Sequence, residues 1–467
     1  MGRKAYRTLF ISFCSTLIFS GCAVGPNYKR PEVAVPVSHR SDSALPAPGP
    51  TAPAVTFGDL KWFDVFQDET LRELIKTALK ENYDVRIAAQ QILAAQAYVT
   101  MEKSALYPSV DAEATADRQQ GVHAATRSAF AGGKFSWELD IWGRIRRSTE
   151  AARAEYLAQE AVQQAVIQSL VTGVASGYFQ LLELDQELAV ARQSLASRQE
   201  SLRLVQARLT GGVSNQVDAD QAMSLVATAA ATIADVERRR EQAENYLSTL
   251  LGRNPGPVAR SKTLADQTLA PQVPAGLPSA LLERRPDIRQ AEQSLVAANA
   301  RVGVAKALFF PTISLTGSGG YQNYQIPQLA FKSGGVIYGY GGSLVQPIFN
   351  AGNLWANYKA SKADREAAIL SYLKSIQDAF RDVADSLIGY QKAKEYLAQK
   401  ELYVVTLRDQ LRLANMRYVG GVSSYLEVLD TERQALDAEL SYAQAYLDHL
   451  NSVIFVYKAL GGGWELQ

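Results

Sequence analysis

Residues 208–214 read Arg-Leu-Thr-Gly-Gly-Val-Ser and residues 417–423 read Arg-Tyr-Val-Gly-Gly-Val-Ser, so one motif occurs twice, 209 positions apart. Earlier in each half, residues 84–86 (Asp-Val-Arg) match residues 287–289 (Asp-Ile-Arg) at an offset of 203. Landmarks that keep their register over more than a hundred residues indicate a tandem duplication. The two halves therefore predict two copies of one structural plan.

A long helix is predicted before each Gly-Gly motif. Glycines 143 and 211 lie 68 positions apart, and so do glycines 352 and 420. A helix of that length measures about 100 Å. Apolar residues recur there every seven positions, which indicates helices that lie side by side in coiled-coil-like packing. The two series are Ile167, Val174, Leu181, Leu188, Leu195, Leu202 and Leu209, then Ile369, Ile376, Val383, Tyr390, Leu397, Val404 and Leu411.

Polar and apolar residues alternate ahead of each long helix, which predicts strands over about 107–120, 133–142, 311–322 and 335–348. About ten alternating residues fit a strand that crosses a bilayer, with lipid on one side and water on the other. Four strands cannot close a barrel with a lumen, and free strand edges are excluded from hydrocarbon. The chain must therefore oligomerise, and the pattern leaves open eight strands from two copies or twelve from three. The expected water-facing acids are Asp111, Glu113, Asp117, Glu138 and Asp140.

The N-terminus predicts an export signal, because three basic residues precede an apolar run that ends in Phe-Ser-Gly at residues 19–21. The next residue, Cys22, completes a sequence that resembles a bacterial lipobox, in which the cysteine is acylated. Removal of residues 1–21 takes the formal charge from +1 to −2, so no basic face for nucleic acid is expected. No other run of about 18 apolar residues occurs, and no transmembrane helix is expected in the mature chain.

No catalytic residues, cofactor or metal site are predicted. His39, His123 and His449 lie far apart, and the two cysteines cannot form a zinc site with them. Gly132-Gly-Lys134 is followed by phenylalanine, not by the serine or threonine of a phosphate-binding loop. An enzyme is therefore not expected.

The predicted organisation has five parts, with a Pro-rich linker between the halves. They are a lipoprotein signal peptide (1–21), a lipidated extended segment (22–60), the first repeat (61–252), the linker (253–283) and the second repeat (284–467).

Several motifs together resemble the TolC-like outer-membrane factors, in the OprM/NodT-like lipoprotein branch that serves resistance-nodulation-division efflux pumps. The resemblance covers nearly the whole mature chain. It implies a mainly α fold with a transmembrane β-barrel, formed as a homotrimer with twelve strands and a periplasmic α-helical barrel. It also implies an exit duct for drugs or other small toxic compounds, which works with a periplasmic adaptor and an inner-membrane pump. The motifs are residues 22–31 (Cys-Ala-Val-Gly-Pro-Asn-Tyr-Lys-Arg-Pro), Trp62-Phe63, residues 284–288 (Arg-Arg-Pro-Asp-Ile) and the paired Gly-Gly turns.

The resemblance also implies site residues. Glu427 and Asp430, three positions apart on one helix face, correspond to acids that ring the periplasmic constriction of the family. Tyr418 and Asp218 occupy the positions of a tyrosine and an aspartate that bond to each other in TolC, whereas TolC's latch arginine is replaced by Ser423. The turns are expected to form the tip on which the adaptor docks. The expected tip residues are Gly211, Gly212, Val213, Ser214, Gly420, Gly421, Val422 and Ser423.

Other functions remain open at this level. The same channel could serve metal-ion efflux or type I protein secretion, because the sequence does not identify the cargo. A periplasmic helical scaffold, such as the adaptor itself, also contains long helical hairpins. Four amphipathic strands argue against the scaffold.

Overall fold

The structure, a computed structural model, describes residues 23–36, 57–120, 125–267, 280–323 and 335–464. The signal peptide and Cys22 lie outside these ranges. The chain divides into two compact units, and each takes segments from both repeats. The first takes its described residues from Met1–Val33, Gln90–Ala161 and Gln290–Ser375, and the second from Ala34–Ala89, Val162–Arg289 and Ile376–Gln467.

Helices dominate the described chain. The helices are α1 (Trp62–Val65), α2 (Glu69–Glu81), α3 (Tyr83–Ser104), α4 (Arg144–Thr210), α5 (Gln216–Leu250), α6 (Leu281–Arg284), α7 (Pro286–Ala307), α8 (Asn353–Val419) and α9 (Tyr425–Ala459). The strands are β1 (Ser109–Gln120), β2 (Ala125–Glu138), β3 (Thr312–Asn323) and β4 (Gly335–Val345), and short 3-10 turns cover Phe57–Asp59 and Leu264–Asp266.

The element bounds confirm the duplication. Helices α3 and α7 each have 22 residues and start 203 positions apart, as do the 12-residue strands β1 and β3. Helices α4 and α8 each have 67 residues, α5 and α9 each have 35, and both pairs are offset by 209. The six-residue change of offset therefore falls between the first and second strand of each half.

The first unit contains one antiparallel sheet in the order β1-β2-β3-β4. Thr115 lies opposite Phe130, and Asp111 lies opposite Lys134, so these four side chains share one face of the sheet. The predicted mainly α fold with four strands is confirmed. The outer edges of β1 and β4 have no strand partner within the described residues.

Strand β2 differs from the predicted range of 133–142: it begins at Ala125 and ends at Glu138. Gly132 lies inside the strand. A glycine is required there, because a Cβ would come within 2.3 Å of the Gly319 carbonyl oxygen and 2.7 Å of the Phe130 ring. The chain leaves the sheet early because Asp140 caps the next helix, accepting hydrogen bonds from the Ile145 and Arg146 amides.

Helix packing in the first unit depends on small side chains. Ala297 and Ala300 of α7 pack with Ala151 and Ala154 of α4 in a buried cluster. Small residues allow two helix axes to approach closely. This joins the second repeat to the first within one chain.

The extended N-terminal segment is fixed to the same helices. The Val24 amide donates to the Trp142 carbonyl at 3.0 Å. Arg147 of α4 donates to the Asn27 side chain at 2.7 Å. Arg30 donates to Glu292 of α7 through two nitrogens, at 2.7 and 2.6 Å.

The second unit has a large apolar core in which the seven-residue series take part. Its largest fully buried side chains include Tyr178, Phe179 and Tyr457. Of the predicted series, Ile167, Val174, Leu181, Leu188, Ile376, Val383 and Val404 are buried, and the others are partly buried. The predicted apolar seams are therefore confirmed.

One described helix, α4, contains an 18-residue window that is apolar enough to cross a membrane by length and composition. The expectation of no such segment rested on unbroken apolar runs, whereas this window contains uncharged polar residues. Because 67% of the window is buried within the protein, it serves as core packing.

A carboxyl group lies in this core. Glu183 of α4 is 0% exposed, and neither of its oxygens has a hydrogen-bond partner among the described residues. Arg239 of α5 instead binds Glu187, at 2.8 Å. Burial, with the nearby Glu187 and Asp448 carboxyl groups, raises the pKa of Glu183 well above its ordinary value of 4.5. Glu183 is therefore protonated at neutral pH.

Each long hairpin reverses at its Gly-Gly turn. The Val213 amide donates to the Arg208 carbonyl at 2.9 Å, and Val422 does the same to Arg417. These are the closing bonds of a Schellman motif. Only the second glycine of each turn has a positive φ, 73° at Gly212 and 72° at Gly421.

Glu183→Gln is expected to stabilise the protein at alkaline pH, because the amide replaces the protonated acid and cannot ionise. Because the folded-state pKa is raised, the contribution of Glu183 to the free energy of unfolding is fully present below about pH 4.5. It is lost as the pH rises above that value. The variant should exceed the wild type by about 1 kcal/mol or more at pH 8 and match it near pH 4. Thermal unfolding in detergent, followed by circular dichroism, measures this. Exposed Glu241→Gln is the control, and a pH-independent difference for Glu183→Gln would contradict the assignment.

Gly212→Ala is expected to loosen the first turn, whereas Gly211→Ala is not. A left-handed conformation costs an alanine about 1 kcal/mol, and Gly211 does not adopt one. Hydrogen exchange at the Val213 amide should become about fivefold faster in Gly212→Ala, as that cost implies. Equal exchange in the two variants would show that the backbone conformation does not stabilise the turn.

Candidate functional site

The structure brings the two Gly-Gly turns together in the second unit. Their helices share a small buried cluster that excludes water from the end of both hairpins. Its members are Val205, Ala219, Ala222, Ala414, Tyr418, Tyr425 and Val428, with Leu202, Leu209 and Leu429 packed against them. All of the predicted gate and tip residues lie within or beside this cluster.

Tyr418 is buried, 6% exposed, and its ring packs against Tyr425 at a centroid distance of 5.2 Å. The guanidinium of Arg208, from the first turn, lies 4.6 Å from the centre of the Tyr418 ring. A cation at that distance is attracted by the ring face. Burial raises the pKa of Tyr418, and the negative charge of Asp218 adds to the increase, whereas Arg208 opposes it.

Asp218 lies near Tyr418 but does not accept a hydrogen bond from it within the described protomer. The Ser214 hydroxyl donates to the Asp218 carboxylate at 2.8 Å. The Asp218 amide donates to the side chain of Asn215, which caps α5. Asp218 therefore holds the first turn in shape, and within one chain the two turns are linked through Arg208 and Tyr418.

The two predicted gate acids are each paired within their own chain. Arg417 Nε lies 3.1 Å from Glu427 Oε1, which joins the end of α8 to the start of α9. Arg433 lies 3.0 Å from Asp430, one turn along the same helix. All four side chains remain substantially exposed. Each carboxylate thus has a positive neighbour, and the partner of Glu427 comes from across the turn, where sequence spacing did not suggest it.

The surface around the turns is apolar. Val213 and Val422 of the predicted tip are exposed, as are Val217, Met416, Val419 and Leu426. The four glycines are also exposed, whereas the Ser423 hydroxyl is buried and has no hydrogen-bond partner among the described residues. Clustered exposed apolar side chains are typical of protein interaction surfaces.

Farther from the turns lie two buried ionisable side chains that were not predicted. Arg198 of α4 is 2% exposed and Glu432 of α9 is 5% exposed. Ser201 donates to Glu432 at 2.9 Å, and burial raises the pKa of Glu432. Arg198 and Glu432 line a polar cavity of about 190 Å³. The sequence did contain a signal for this site. Arg198 follows Leu195 of the seven-residue series by three positions, and the equivalent positions elsewhere in the series hold apolar residues, such as Leu184 and Val205.

Nothing in the described ranges assembles three or more His, Cys, Asp or Glu side chains that could hold a metal ion. The partly buried His449 instead stacks on Tyr390, at 5.8 Å between ring centres. Burial lowers its pKa, so its ring is neutral at physiological pH.

Comparisons with known proteins agree with this architecture. Residues 74–253 and 277–462 match the family described as outer membrane efflux protein. The chain is 36% identical over 462 residues to the solvent efflux pump outer membrane protein SrpC of Pseudomonas putida, with 97% of each chain covered. It is 33% identical to the cation efflux system protein CusC of Escherichia coli O6:H1, covering 97% of this chain and 98% of that protein.

Solved structures give the same result. The outer-membrane channel OprN superimposes with a TM-score of 0.86 at 31% identity, over 95% of this chain and 100% of OprN. The open state of the Neisseria gonorrhoeae MtrE outer membrane channel gives 0.85 at 34% identity, over 95% and 99%. The chain therefore belongs to the outer membrane efflux protein family, and it is an outer-membrane channel component of an efflux system.

Proposed function

We propose that three copies of this chain form a passive exit duct that exports small toxic compounds and performs no chemistry. The observation that carries the proposal is the four-stranded sheet with unpaired outer edges at β1 and β4. In a bilayer these edges must pair with other copies, because unsatisfied peptide groups are excluded from hydrocarbon. Each copy therefore supplies one third of a barrel.

The resemblance to TolC-like proteins supplies the number three, and the need for a lumen agrees with it. Two copies would give eight strands, whose interior is filled by side chains, whereas three copies give twelve strands and open space. A channel needs the open space. The same three copies would enclose a periplasmic tunnel with their long helices, in keeping with the resemblance to TolC-like proteins.

The relatives' names suggest the cargo. SrpC is named for solvent efflux, and a second 36% identical relative from Pseudomonas putida is named for toluene efflux. Small apolar toxic compounds, including drugs, are therefore the proposed cargo. Metal cations are the second candidate, because CusC is named for cation efflux and the water-facing side of β1 carries Asp111, Glu113 and Asp117.

We also propose that the mature N-terminus, Cys22, is acylated and anchors the protein. The lipobox-like sequence supports this, and so does the position of the residues that follow. The Val24 amide binds Trp142, four residues after the end of β2 at Glu138. Val24, two positions after Cys22 in the sequence, is therefore held close to the end of β2.

A periplasmic adaptor is proposed to dock on the apolar surface at the turns and to connect the duct to an inner-membrane pump. Exposed Val213, Val422 and Leu426 offer the apolar contacts that such docking needs. The exposed Gly-Gly turns leave room for a partner helix to approach.

The same end is proposed to be the gate. Glu427 and Asp430 of three copies would place six carboxylates around one axis, and Tyr418 with Asp218 would hold the closed state. Arg417 and Arg433 offset part of this negative charge. Ion pairs within each copy would therefore lower the repulsion among the six carboxylates, and cations from solution would screen the rest.

Deletion of the gene is expected to sensitise its host to solvents and antibiotics, with inhibitory concentrations about fourfold or more lower, because the pump would lose its exit. The wild-type gene should restore resistance. Its protein product should incorporate labelled palmitate, whereas the Cys22→Ser variant should not be labelled. Sensitivity to metals alone would favour the cation candidate. Loss of a secreted protein would favour secretion, and a chain that stays soluble without its lipid would favour the scaffold.

Replacement of Glu427 and Asp430 by alanine is expected to raise single-channel conductance in planar bilayers about twofold or more and to weaken cation selectivity. The change removes two carboxylates per copy and leaves Arg417 and Arg433 unpaired, which loosens the second turn. Asp235→Ala is the matched control, because Asp235 pairs with Arg238 at the same spacing on α5. Unchanged conductance in the double variant would contradict a gate at this place.

A further inference from the structure

A cavity of about 570 Å³ lies in the second unit, at the point where α9 ends and α7 begins. Residues of α4, α8 and α9 line it, together with Arg285 and Asp287 at the start of α7. Its volume is in the range that holds drug-sized organic molecules. None of the predicted gate or tip residues lines it. This junction cavity is therefore separate from the turns.

The junction cavity opens on the side of the helices that faces away from the large core. Phe455 of α9 lines the cavity and is 54% exposed, whereas Tyr457 is fully buried and donates to the Leu60 carbonyl at 2.6 Å. Two positions along a helix differ in direction by about 200°, so the two rings lie on opposite sides of α9. On α8, Asp385 lines the cavity and Val383 is fully buried in the core in the same way.

In the proposed duct this side of the helices is the wall of the tunnel, a conclusion that rests on the proposed function. The core on the other side is covered by α1, α2 and the turn at Phe57–Asp59. Three copies of these elements inside the tunnel would fill it, and a channel needs an open interior. They therefore lie outside, and Phe455 and Asp385 face the compounds that pass.

The charges around the junction cavity leave one carboxylate without an ion pair. Arg285 is only 8% exposed and binds both Asp287, at 2.6 Å, and Asp382, at 3.0 Å. Arg381 binds Asp382 as well, at 3.0 Å. Asp385, three positions along α8 from Asp382, is exposed and forms no ion pair within 4.0 Å among the residues that the structure describes. Its carboxylate is therefore available to a positively charged ligand.

The internal repeat shows that this carboxylate is not needed for helix packing. A shift of 209 relates Phe455 to Tyr246, which is also exposed, at 53%. The same shift relates Asp385 to Ser176. Both repeats thus place an exposed aromatic ring near the end of the return helix, whereas only the second has an acid on the long helix beside it. A requirement of the fold would apply to both repeats, so Asp385 has a role beyond packing.

We propose that the junction cavity binds aromatic organic cations on the wall of the duct. Such a molecule can pack its ring against Phe455 and bring its positive charge to Asp385. Space between these two groups is provided by Ala165 and Gly389, and a Cβ added at Gly389 would meet no atom within 4 Å. The site deepens the proposed function, because it names a class of cargo that the wall holds during passage.

One positive charge at the cavity gives the proposal an opposite test. Lys458 lies in the last turn of α9, where the unpaired carbonyl groups of the helix end favour a cation. Its side chain is exposed. Lys458 would repel a cationic ligand, so its removal must strengthen binding, whereas removal of Asp385 must weaken it.

Binding of ethidium, an aromatic cation, to the purified protein tests the site. Its fluorescence anisotropy is measured in detergent solution and compared with detergent alone. Asp385→Asn is expected to weaken binding about fivefold, because an exposed ion pair is lost. Phe455→Ala is expected to weaken it about tenfold through loss of the ring contact. Lys458→Met is expected to strengthen it about twofold.

Two variants serve as matched controls. Asp378→Asn removes the same charge seven positions earlier on α8, outside the cavity lining, and Tyr246→Ala removes the equivalent ring of the first repeat. Both are expected to bind ethidium as the wild type does. Uncharged phenanthridine, with the same ring system, should bind equally to the wild type and to Asp385→Asn. Equal weakening by Asp378→Asn and Asp385→Asn would show a general attraction to negative charge and would overturn the site.

Single-channel current in planar bilayers separates this site from the proposed function. Channels that conduct but bind no ethidium, or bind it equally in all variants, would overturn the site and leave the duct in place. A protein that shows the expected binding pattern but never conducts would overturn the duct and leave the site. A protein that does neither would overturn both. Thermal unfolding at the wild-type temperature confirms that each variant is folded.

Discussion

The constraint on which the structure depends is that peptide groups in a bilayer must be paired. Strands β1 and β4, with 12 and 11 residues, each present one unpaired edge. Each unsatisfied group in hydrocarbon costs several kcal/mol, so one copy alone is not a stable membrane structure. In the proposed trimer, pairing of these edges with other copies would satisfy the constraint.

The equal lengths of the equivalent helices in the two repeats bring the two hairpin turns together. Helices α4 and α8 both have 67 residues, so both hairpins of the second unit turn at one level and their ends share the cluster around Tyr418 and Tyr425. A hairpin shorter by a turn of helix would leave half of that cluster exposed. Conserving both length and heptad register across the halves keeps the seams aligned along the whole bundle.

Much of this could be predicted from the sequence because it depends on periodicity. The seven-residue series predicted buried positions such as Leu181 and Val383, and alternation predicted the strands. What escaped prediction depends on contacts between distant residues. The start of β2 was missed because the close approach of the Gly319 backbone to Gly132 is a contact between the two repeats, which local alternation does not reveal. The partners of Glu427 and the stacking of Arg208 on Tyr418 required the second turn to be placed beside the first.

The distribution of contacts explains why opening is expected at the turns. The second unit's large core buries Tyr178, Phe179 and Tyr457, and separating such side chains from their neighbours costs several kcal/mol each. At the turns, a small cluster is supplemented by exposed ion pairs, which contribute at most about 1 kcal/mol each. Local opening begins where contacts are fewest and most exposed. The end of the hairpins can therefore loosen while the large core stays closed, which agrees with the proposed gate at Tyr418 and Glu427.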